Sequence, residues 1–592
     1  MIFALYHNDK HCLVKYKQVN LNKVRQSCTE GNGNITKMLK WILLGVLMII
    51  GRGDAKEAWL VNTDQGPVRG YKASGDDVFV FYGIPYATAP TGRNKYKAPL
   101  PASTWSEPFE AVNRNIICPQ MYSVYMAHPN GTQVNDCLVA NIYVPDTKRD
   151  KLPVLAQVHG GGYQIGYGNF IVGKNLIREK EMIIVNFNYR LGPHGFLCLG
   201  TPDAPGNVGI KDQVALLRWI QRNIASFGGN TDDVTITGYS AGASAVDLLM
   251  LSPMTKGLFN KVVPESGPNL AAFSVQGEPL ENAKRYAKML NFSGDVNDIY
   301  ALEEFYKTVS DDVLHSVNVL FEKNETLIFT PCIERDVGEE MFLNDSPYNI
   351  LKNGRQHKVP MLYGFAEMEG LIRIPFFDMW KDGMNDKFSD YLPGDLQFKT
   401  EAEREKIPEE VKRFYFSGQP INEETVFRYI DYFTDIFFGY GTLRSVRLQV
   451  ESGNNNIYLY QYDFVDETEL FIPHTELRGA DHCAQSLGVF DSFTQDPYEE
   501  NLTDDLKGVK RMMRKMWASF ITTGKPIPEG SDLPDWPPAK ANGGPHMRID
   551  KFIKLRGPLL QQRVLFWDEI YDKYYKAPSP PPTPPPRHKS EL

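Results

Sequence analysis

The segment 232–251 constrains the fold more than any other part of the chain. The β-branched run 234–237 is typical of a buried strand, and the apolar run 243–251 is long enough for a helix. Between them stands Gly238-Tyr-Ser240-Ala-Gly242, in which two glycines flank a serine. This order predicts a strand, a sharp turn and a helix, with the hydroxyl of Ser240 projecting from the turn as a candidate nucleophile.

Further strand and helix patterns alternate along the chain. Short β-branched runs at 154–158 and 182–186 come before the amphipathic run 212–220, and the strand at 234–237 follows it. Such alternation predicts parallel βαβ units and an α/β sheet with helices on both faces. Because residues 56–576 contain no repeat or linker, we expect one domain with long loop insertions.

The composition excludes several classes of protein. Apolar residues make up 42% of the 592 residues and charged residues 23%, which is ordinary for a globular protein and unlike a disordered or collagen-like chain. The formal net charge is −8, and no cluster of Lys and Arg is present. An acidic chain of this kind is not expected to bind nucleic acid.

The first 55 residues have the pattern of a targeting segment. Lys37 and Lys40 precede the ten-residue apolar run 41–50, and Gly53-Asp-Ala55 places small residues after it. We therefore expect a signal peptide over 38–55, preceded by an upstream extension, 1–37, that is absent from the mature protein. A signal-anchor helix or a buried strand is the alternative, but ten residues are short for a bilayer, so no integral membrane span is expected in the mature chain.

The last segment, 577–592, is rich in proline. Proline lacks the backbone N–H donor that helices and sheets need, so the composition predicts a disordered, solvated polyproline tail. The final Lys589-Ser-Glu-Leu592 resembles the Lys-Asp-Glu-Leu retention signal with one substitution. Together with the signal peptide, it indicates the secretory pathway and leaves secretion and luminal retention both open.

Cysteine and glycosylation patterns agree with an oxidising compartment. Five cysteines lie beyond the predicted signal, none in a C-x-x-C pair, so no metal site is predicted and at least one thiol is free. Candidate N-glycosylation sites are Asn130, Asn291, Asn324 and Asn501. Asn344-Asp-Ser also matches the triplet but is followed by Pro347.

A glycine run offers the groups that a serine nucleophile needs. A serine hydroxyl reacts poorly until a base removes its proton and fixed donors hold the developing oxyanion. His159-Gly-Gly-Gly162 follows the strand at 154–158, and residues without side chains let backbone N–H groups approach a tetrahedral oxygen. We expect the oxyanion donors to be the amides of Gly161, Gly162 and Ala241.

Several segments occur in an order known from one family. They include Gly83-Ile-Pro-Tyr-Ala87, Asn188-Tyr-Arg-Leu-Gly192, Phe227-Gly-Gly-Asn230, Glu265-Ser-Gly267 and Phe566-Trp-Asp568. In this order they resemble the type-B carboxylesterase (cholinesterase-like) family of α/β-hydrolases, especially its insect carboxylesterases. The resemblance covers 56–575 and implies an α/β-hydrolase fold with a large, mostly parallel central sheet.

The resemblance also implies a Ser–Glu–His triad. Gly364-Phe-Ala-Glu-Met-Glu369-Gly370 resembles the acid segment and assigns the orienting carboxylate to Glu369, with Glu367 as the nearby alternative. Gly479-Ala-Asp-His482 resembles the histidine segment. The implied triad is therefore Ser240, Glu369 and His482, in which the imidazole moves the proton and the carboxylate orients it.

The family pattern assigns roles to further residues. Ser266 matches a serine that supports the triad, and Cys118–Cys137 matches the first disulfide of the family. By the same comparison, Cys198, Cys332 and Cys483 are expected to be free thiols, with Cys483 beside the base open to oxidation. The family usually carries a charged residue where this chain has Gln485.

The implied function is that of a serine carboxylesterase that needs no metal or cofactor. Its partner would be a small-molecule ester of xenobiotic, odorant or dietary type. The loop 119–136 contains no tryptophan to hold a quaternary ammonium group, so choline esters are disfavoured. The alternatives are a scavenger that acylates quickly and hydrolyses slowly, and a non-catalytic adhesion protein; oligomeric state stays open.

Overall fold

The structure, a computed structural model, covers most of the chain between Glu57 and Pro586. It describes residues 57–73, 75–123, 126, 128, 130–179, 182–320, 322–324, 326–492 and 499–586. The fold below is that of the compact unit Trp59–Leu592. The predicted upstream extension, the signal peptide and the KSEL end lie outside the described residues.

A sheet of thirteen strands organises the described part of the chain. In spatial order its main path is β1-β2-β3-β5-β7-β6-β8-β9-β10-β11-β12-β13, and β4 pairs with β2. The strands are β1 (Ala58–Thr63), β2 (Gly66–Lys72), β3 (Val78–Pro85), β4 (Phe109–Glu110), β5 (Val139–Pro145), β6 (Leu152–Val158), β7 (Ile183–Phe187), β8 (Gly229–Tyr239), β9 (Lys261–Glu265), β10 (Met361–Ala366), β11 (Ile457–Tyr462), β12 (His546–Ile549) and β13 (Lys554–Arg556).

Seven neighbouring strands are parallel to one another, and in spatial order they are β7-β6-β8-β9-β10-β11-β12. The predicted strands at 154–158, 182–186 and 234–237 correspond to β6, β7 and β8. In β6, Val154 and Val158 face one hydrophobic core, whereas Leu155 between them belongs to a second core. Because successive side chains of a strand point to opposite faces, the central sheet is buried on both sides, as expected.

Helices cover both faces of the sheet. Trp219 in the helix Val208–Asn223 belongs to the first core, and Trp517 in the helix Asp504–Thr523 belongs to the second. The helices are α1 (Lys174–Glu179), α2 (Gly192–Phe196), α3 (Val208–Asn223), α4 (Ala241–Leu249), α5 (Pro279–Met289), α6 (Ile299–Thr308), α7 (Asp311–Leu314), α8 (Pro347–Lys352), α9 (Phe377–Asp386), α10 (Glu401–Phe416), α11 (Val426–Thr434), α12 (Tyr440–Glu451), α13 (Ala484–Val489), α14 (Asp504–Thr523) and α15 (Gln561–Tyr574). The α/β prediction with long insertions is confirmed.

The register of the parallel strands brings distant segments to one edge. Tyr239 at the end of β8 pairs with Glu265 at the end of β9, and Glu265 pairs with Gly364 in β10. Gly364 in turn pairs with Tyr460 in β11. The loops that follow β8, β10 and β11 therefore begin at the same edge of the sheet, where ligands bind in open α/β folds.

The disulfides confirm one expectation and correct another. Cys118 and Cys137 are bonded, with Cα atoms 5.0 Å apart. Cys198 and Cys332 form a second disulfide, so the prediction that they are free thiols is wrong. The two cysteines are 134 residues apart in sequence. Their sulfur atoms lie against Gly206, where a Cβ would be within 2.7 Å of both of them. Such long-range packing cannot be inferred from spacing.

The proline-rich tail also differs from its expected form. Pro581 is buried, and its ring approaches Gly200. The hydroxyl of Tyr300 donates a hydrogen bond to the carbonyl of Pro585 at 2.7 Å. The described part of the tail is therefore held against the domain at Pro581 and Pro585 and is not wholly solvated.

The helices give no sign of a bilayer span. Among the residues that the structure describes, no helix combines the length and the apolar character required to cross a membrane.

Candidate active site

The turn between β8 and α4 presents Ser240. Its backbone has φ 55° and ψ −127°, which is an unusual conformation for a residue with a side chain. A Cβ on Gly238 would lie 2.2 Å from the carbonyl oxygen of Gly242, so glycine is required at this close approach. The amide of Ser240 donates to the carbonyl oxygen of Glu265 at 2.9 Å, which fixes the turn to the neighbouring strand.

His482 lies directly beside Ser240. The distance from Nε2 of His482 to Oγ of Ser240 is 2.9 Å, although the residues are 242 positions apart. Nδ1 of the same ring makes a short hydrogen bond with Oε2 of Glu369, whose side chain is fully buried. With Nδ1 protonated by this pairing, Nε2 is free to accept the serine proton.

A backbone hydrogen bond connects the segment that contains Glu369 with the segment that contains His482. Glu369 begins the 3₁₀ turn Glu369–Phe376 after β10, and the amide of Met368 donates to the carbonyl of Ala480 at 3.1 Å. Glu367, the alternative carboxylate, makes no such contact with the imidazole, and its amide is bonded to Tyr462. The geometry thus brings Glu369 to the histidine and leaves Glu367 aside.

A second layer of hydrogen bonds holds the carboxylate. Oε1 of Glu369 accepts from the amide of Ala366 at 2.7 Å and from the hydroxyl of Ser266. Ser266 accepts in turn from the amide nitrogen of Gln485, which is fully buried. Both side-chain bonds fix the Ser266 proton toward Glu369, so the carboxylate has one orientation.

The glycine run lies against the nucleophile turn. A Cβ on Gly160 would be 3.0 Å from Cβ of Ser240. Gly161 and Gly162 have φ values of 108° and 60°, which favour glycine. Within the described part of the chain, the N–H groups of Gly161, Gly162 and Ala241 find no protein acceptor, as oxyanion donors require.

A family model matches most of the chain. The model of the carboxylesterase family covers residues 57–567, which includes all thirteen strands and every helix up to the start of α15. This chain belongs to the carboxylesterase family. It is therefore a carboxylic ester hydrolase with the family's α/β-hydrolase fold.

Individual relatives agree with the family match. The chain is 31% identical to esterase FE4 of Myzus persicae over 87% of this chain and 93% of the relative, and 30% identical to juvenile hormone esterase of Heliothis virescens over 82% and 88%. It also resembles the crystal structure of Manduca sexta juvenile hormone esterase with OTFP covalently attached. That likeness has a TM-score of 0.77 and 28% identity, and covers 87% of this chain and all of the other.

In this carboxylesterase, burial and nearby negative charges have opposite effects on the pKa of His482. Burial by itself lowers the pKa of His482, but the negative charge of Glu369, and of Cys483 when ionised, outweighs it. The net effect raises the pKa of His482 well above its usual value. Glu265, whose backbone carbonyl accepts from the amide of Ser240, is also buried. Burial raises the pKa of its carboxyl group to about 7.

Three further side chains lie beside the site, and the sequence analysis anticipates one of them. The ring of Phe438, in the π-helical turn Asp435–Gly439, stacks on His482 with centroids 4.5 Å apart. Leu320 lies where a side chain on Gly162 would project, and Sγ of Cys483 is 3.4 Å from Nε2 of His482. Only Cys483 is expected there from the sequence, since it follows the histidine directly.

Other predicted residues lie on the surface. Asn130, Asn291 and Asn501 of the candidate glycosylation sites are exposed, and Asn324 is half-buried. One group of side chains among the described residues has the spacing of a metal site, namely Asp378, Glu423 and His474. These three are exposed, and Lys381 already bridges the two carboxylates.

Proposed function

We propose that this carboxylesterase hydrolyses small-molecule esters through an acyl-enzyme on Ser240. The observation that carries the proposal is the 2.9 Å contact between Oγ of Ser240 and Nε2 of His482, with Glu369 on the opposite ring nitrogen. A nucleophile, its base and an orienting carboxylate in hydrogen-bond reach are the arrangement that activates a serine hydroxyl.

The reaction would proceed in two halves. His482 takes the proton of Ser240 as the hydroxyl attacks the ester carbonyl, and the amides of Gly161, Gly162 and Ala241 bind the oxyanion. The imidazolium, held by Glu369, then protonates the departing alcohol. Water attacks the acyl-enzyme with His482 as base, which releases the acid and restores the serine.

Apolar side chains around the site favour an ester with apolar groups. Leu320 and Leu327 approach Gly162, and Phe438 covers one face of the catalytic imidazole. Burial of apolar surface stabilises binding by roughly 25 cal/mol per Å², so a larger apolar acyl or alcohol group should bind more tightly. Xenobiotic, odorant and dietary esters all satisfy this description.

We also propose that the protein works in the secretory pathway, either secreted or retained in the lumen. Two disulfides support this proposal, because disulfides persist in oxidising compartments. Exposed side chains at Asn130, Asn291 and Asn501 are consistent with glycosylation. A similar protein is named venom carboxylesterase-6 of Apis mellifera.

Replacing Ser240 by alanine tests the mechanism. Ser240→Ala should lower kcat for p-nitrophenyl acetate by roughly 10⁴- to 10⁶-fold, because the remaining groups of the triad act only with the nucleophile. Ser531→Ala, at an exposed serine in a loop, is the control and should keep full activity. Thermal unfolding of both variants checks that the fold is intact.

The time course of the wild type separates the alternatives. Steady turnover supports the esterase. Release of one equivalent followed by arrest would indicate a scavenger, and no release would indicate an adhesion protein. A covalent adduct found by mass spectrometry on a serine other than Ser240 would contradict the assignment.

A further inference from the structure

A thiol shares the catalytic base with the serine. Sγ of Cys483 lies 3.4 Å from Nε2 of His482, the same nitrogen that is 2.9 Å from Oγ of Ser240. Cys483 is half-buried, and it has φ 63° at the position before α13. Among the described residues it is the one free cysteine, since the four others form disulfides.

The thiol of Cys483 needs a base to react, because its surroundings favour the protonated form. Burial raises the pKa of Cys483, and Glu369 and Glu265 raise it further, so the thiol is protonated at neutral pH. The imidazole of His482 opposes this effect and lies within reach of the proton. A cysteine paired with a histidine is a standard arrangement for thiol activation.

A second polar group lies near the thiol. Tyr239 is 6% exposed, its hydroxyl lies beside the backbone of Gly160, and within the described residues no group accepts the hydroxyl proton. It interacts electrostatically with Cys483. A buried hydroxyl without a partner is costly unless something accepts its proton, so a carbonyl oxygen entering beside the sulfur would find a donor there.

We propose that Cys483 is a modification site for soft carbon electrophiles of the α,β-unsaturated carbonyl class, and that alkylation there switches off the esterase. The reaction at sulfur needs only the observed thiol and imidazole. The loss of activity rests on the proposed function, because the added group would lie against Nε2 of His482, the nitrogen that contacts Oγ of Ser240.

The covalent step balances without a further reactant. His482 takes the thiol proton through Nε2, and the sulfur forms a bond with the β-carbon of the electrophile. The carbon–carbon π bond breaks, its electrons move toward the carbonyl oxygen, and Tyr239 can donate a hydrogen bond to the resulting enolate. The imidazolium then returns the proton to the α-carbon, so no group leaves and no oxidant is used.

N-ethylmaleimide is the probe that tests the site. The full-length protein is incubated with it near pH 7, and samples are taken for esterase activity and for peptide mass spectrometry. We expect one maleimide on the peptide that contains Cys483, and activity lost in parallel with its formation. Absence of the adduct from the folded protein, when the unfolded and reduced protein is labelled there, would overturn the proposal.

Two variants separate the parts of the proposal. Cys483→Gly suits the left-handed backbone at this position, so it should fold, and N-ethylmaleimide should leave its activity unchanged. His482→Ala should slow alkylation of Cys483 by roughly 10²-fold, the usual contribution of a general base. Alkylation at an unchanged rate would show that the imidazole does not take the proton.

Failure of the thiol proposal can be distinguished from failure of the proposed function. An adduct on Cys483 with unchanged activity would contradict the switch, while the activity itself would stand. If the untreated protein had no esterase activity, the adduct and its dependence on His482 would still test the thiol site by mass spectrometry alone. Inhibition that persists in Cys483→Gly would place the sensitive group elsewhere and contradict the proposal.

Discussion

His482 has a carboxylate on one ring nitrogen and two possible proton donors on the other. Glu369 bonds to Nδ1, and both Ser240 and Cys483 lie within reach of Nε2. The shorter of the two distances is that to the serine oxygen, and a hydroxyl is a stronger hydrogen-bond donor than a thiol. At the scale of single residues, Ser240 is therefore the expected partner of the base, and Cys483 becomes important when an electrophile is present.

The raised pKa of His482 predicts where activity is lost on acidification. The base works only as neutral imidazole, so kcat/KM should fall on acidification with a midpoint at the pKa of His482, which the charge of Glu369 raises. Glu369→Gln removes the negative charge, so this midpoint should move to lower pH while kcat falls by roughly 10²- to 10⁴-fold. The measurement is the pH profile of kcat/KM for both forms. A midpoint that stays in place would show that Glu369 does not set the charge of the base.

The turn between β8 and α4 depends on close backbone contacts. Gly238 approaches the carbonyl of Gly242, and a Cβ on Gly242 would lie 2.3 Å from the carbonyl oxygen of Val158. These contacts tie the nucleophile turn to β6 and to the glycine run that follows it. At the scale of elements, the position of Ser240 therefore follows from glycines that let three backbone segments meet.

Substitution of Gly238 tests this dependence. Gly238→Ala should destabilise the protein by about 1–3 kcal/mol or more, because neither backbone partner can move without displacing the turn, and kcat should fall as well. Gly508→Ala in α14 is the matched control. Open space surrounds that glycine, so alanine should leave stability equal or raise it slightly. Urea unfolding of both variants gives the comparison, and equal midpoints for Gly238→Ala and the wild type would refute the steric argument.

The whole molecule is held by contacts between distant segments. The sheet brings the loops after β8, β10 and β11 to one edge, and the Cys198–Cys332 disulfide joins segments 134 residues apart. The same region receives the C-terminal tail, since Pro581 approaches Gly200, two residues beyond Cys198. The Cys198–Cys332 disulfide and the contact with Pro581 therefore both hold the segment that contains Cys198 and Gly200.

Removal of the second disulfide should weaken the whole fold. A loop of this length corresponds to about 5 kcal/mol in the loop-entropy model, so Cys198→Ser with Cys332→Ser should lower the unfolding midpoint clearly. Activity of the folded fraction should change little, because neither cysteine contacts the triad. Unfolding curves of the wild type with and without reductant provide a second measurement. A midpoint unaffected by either change would show that the two sulfurs are not linked.

Much of the site could be predicted because its signals are local. The strand, the glycines and the helix around Ser240 are contiguous, and backbone sterics within a few residues decide such a turn. Glu369 and His482 were assigned by family resemblance, and the structure brings both to the serine. Glu367 could be set aside only from coordinates, because the two carboxylates are two residues apart in the sequence and it is Glu369 that reaches the imidazole.

By itself the sequence determined the α/β class, the strand–turn–helix around Ser240 and the position of the glycine run, since these depend on hydrophobic periodicity and on local backbone freedom. Only the tertiary structure decided that Cys198 pairs with Cys332, that Phe438 covers His482 and that the tail packs on Gly200. It also decided that the sulfur of Cys483 points to the catalytic nitrogen. Such contacts join residues through side-chain packing and rotamer choice, and no periodicity along the chain encodes them.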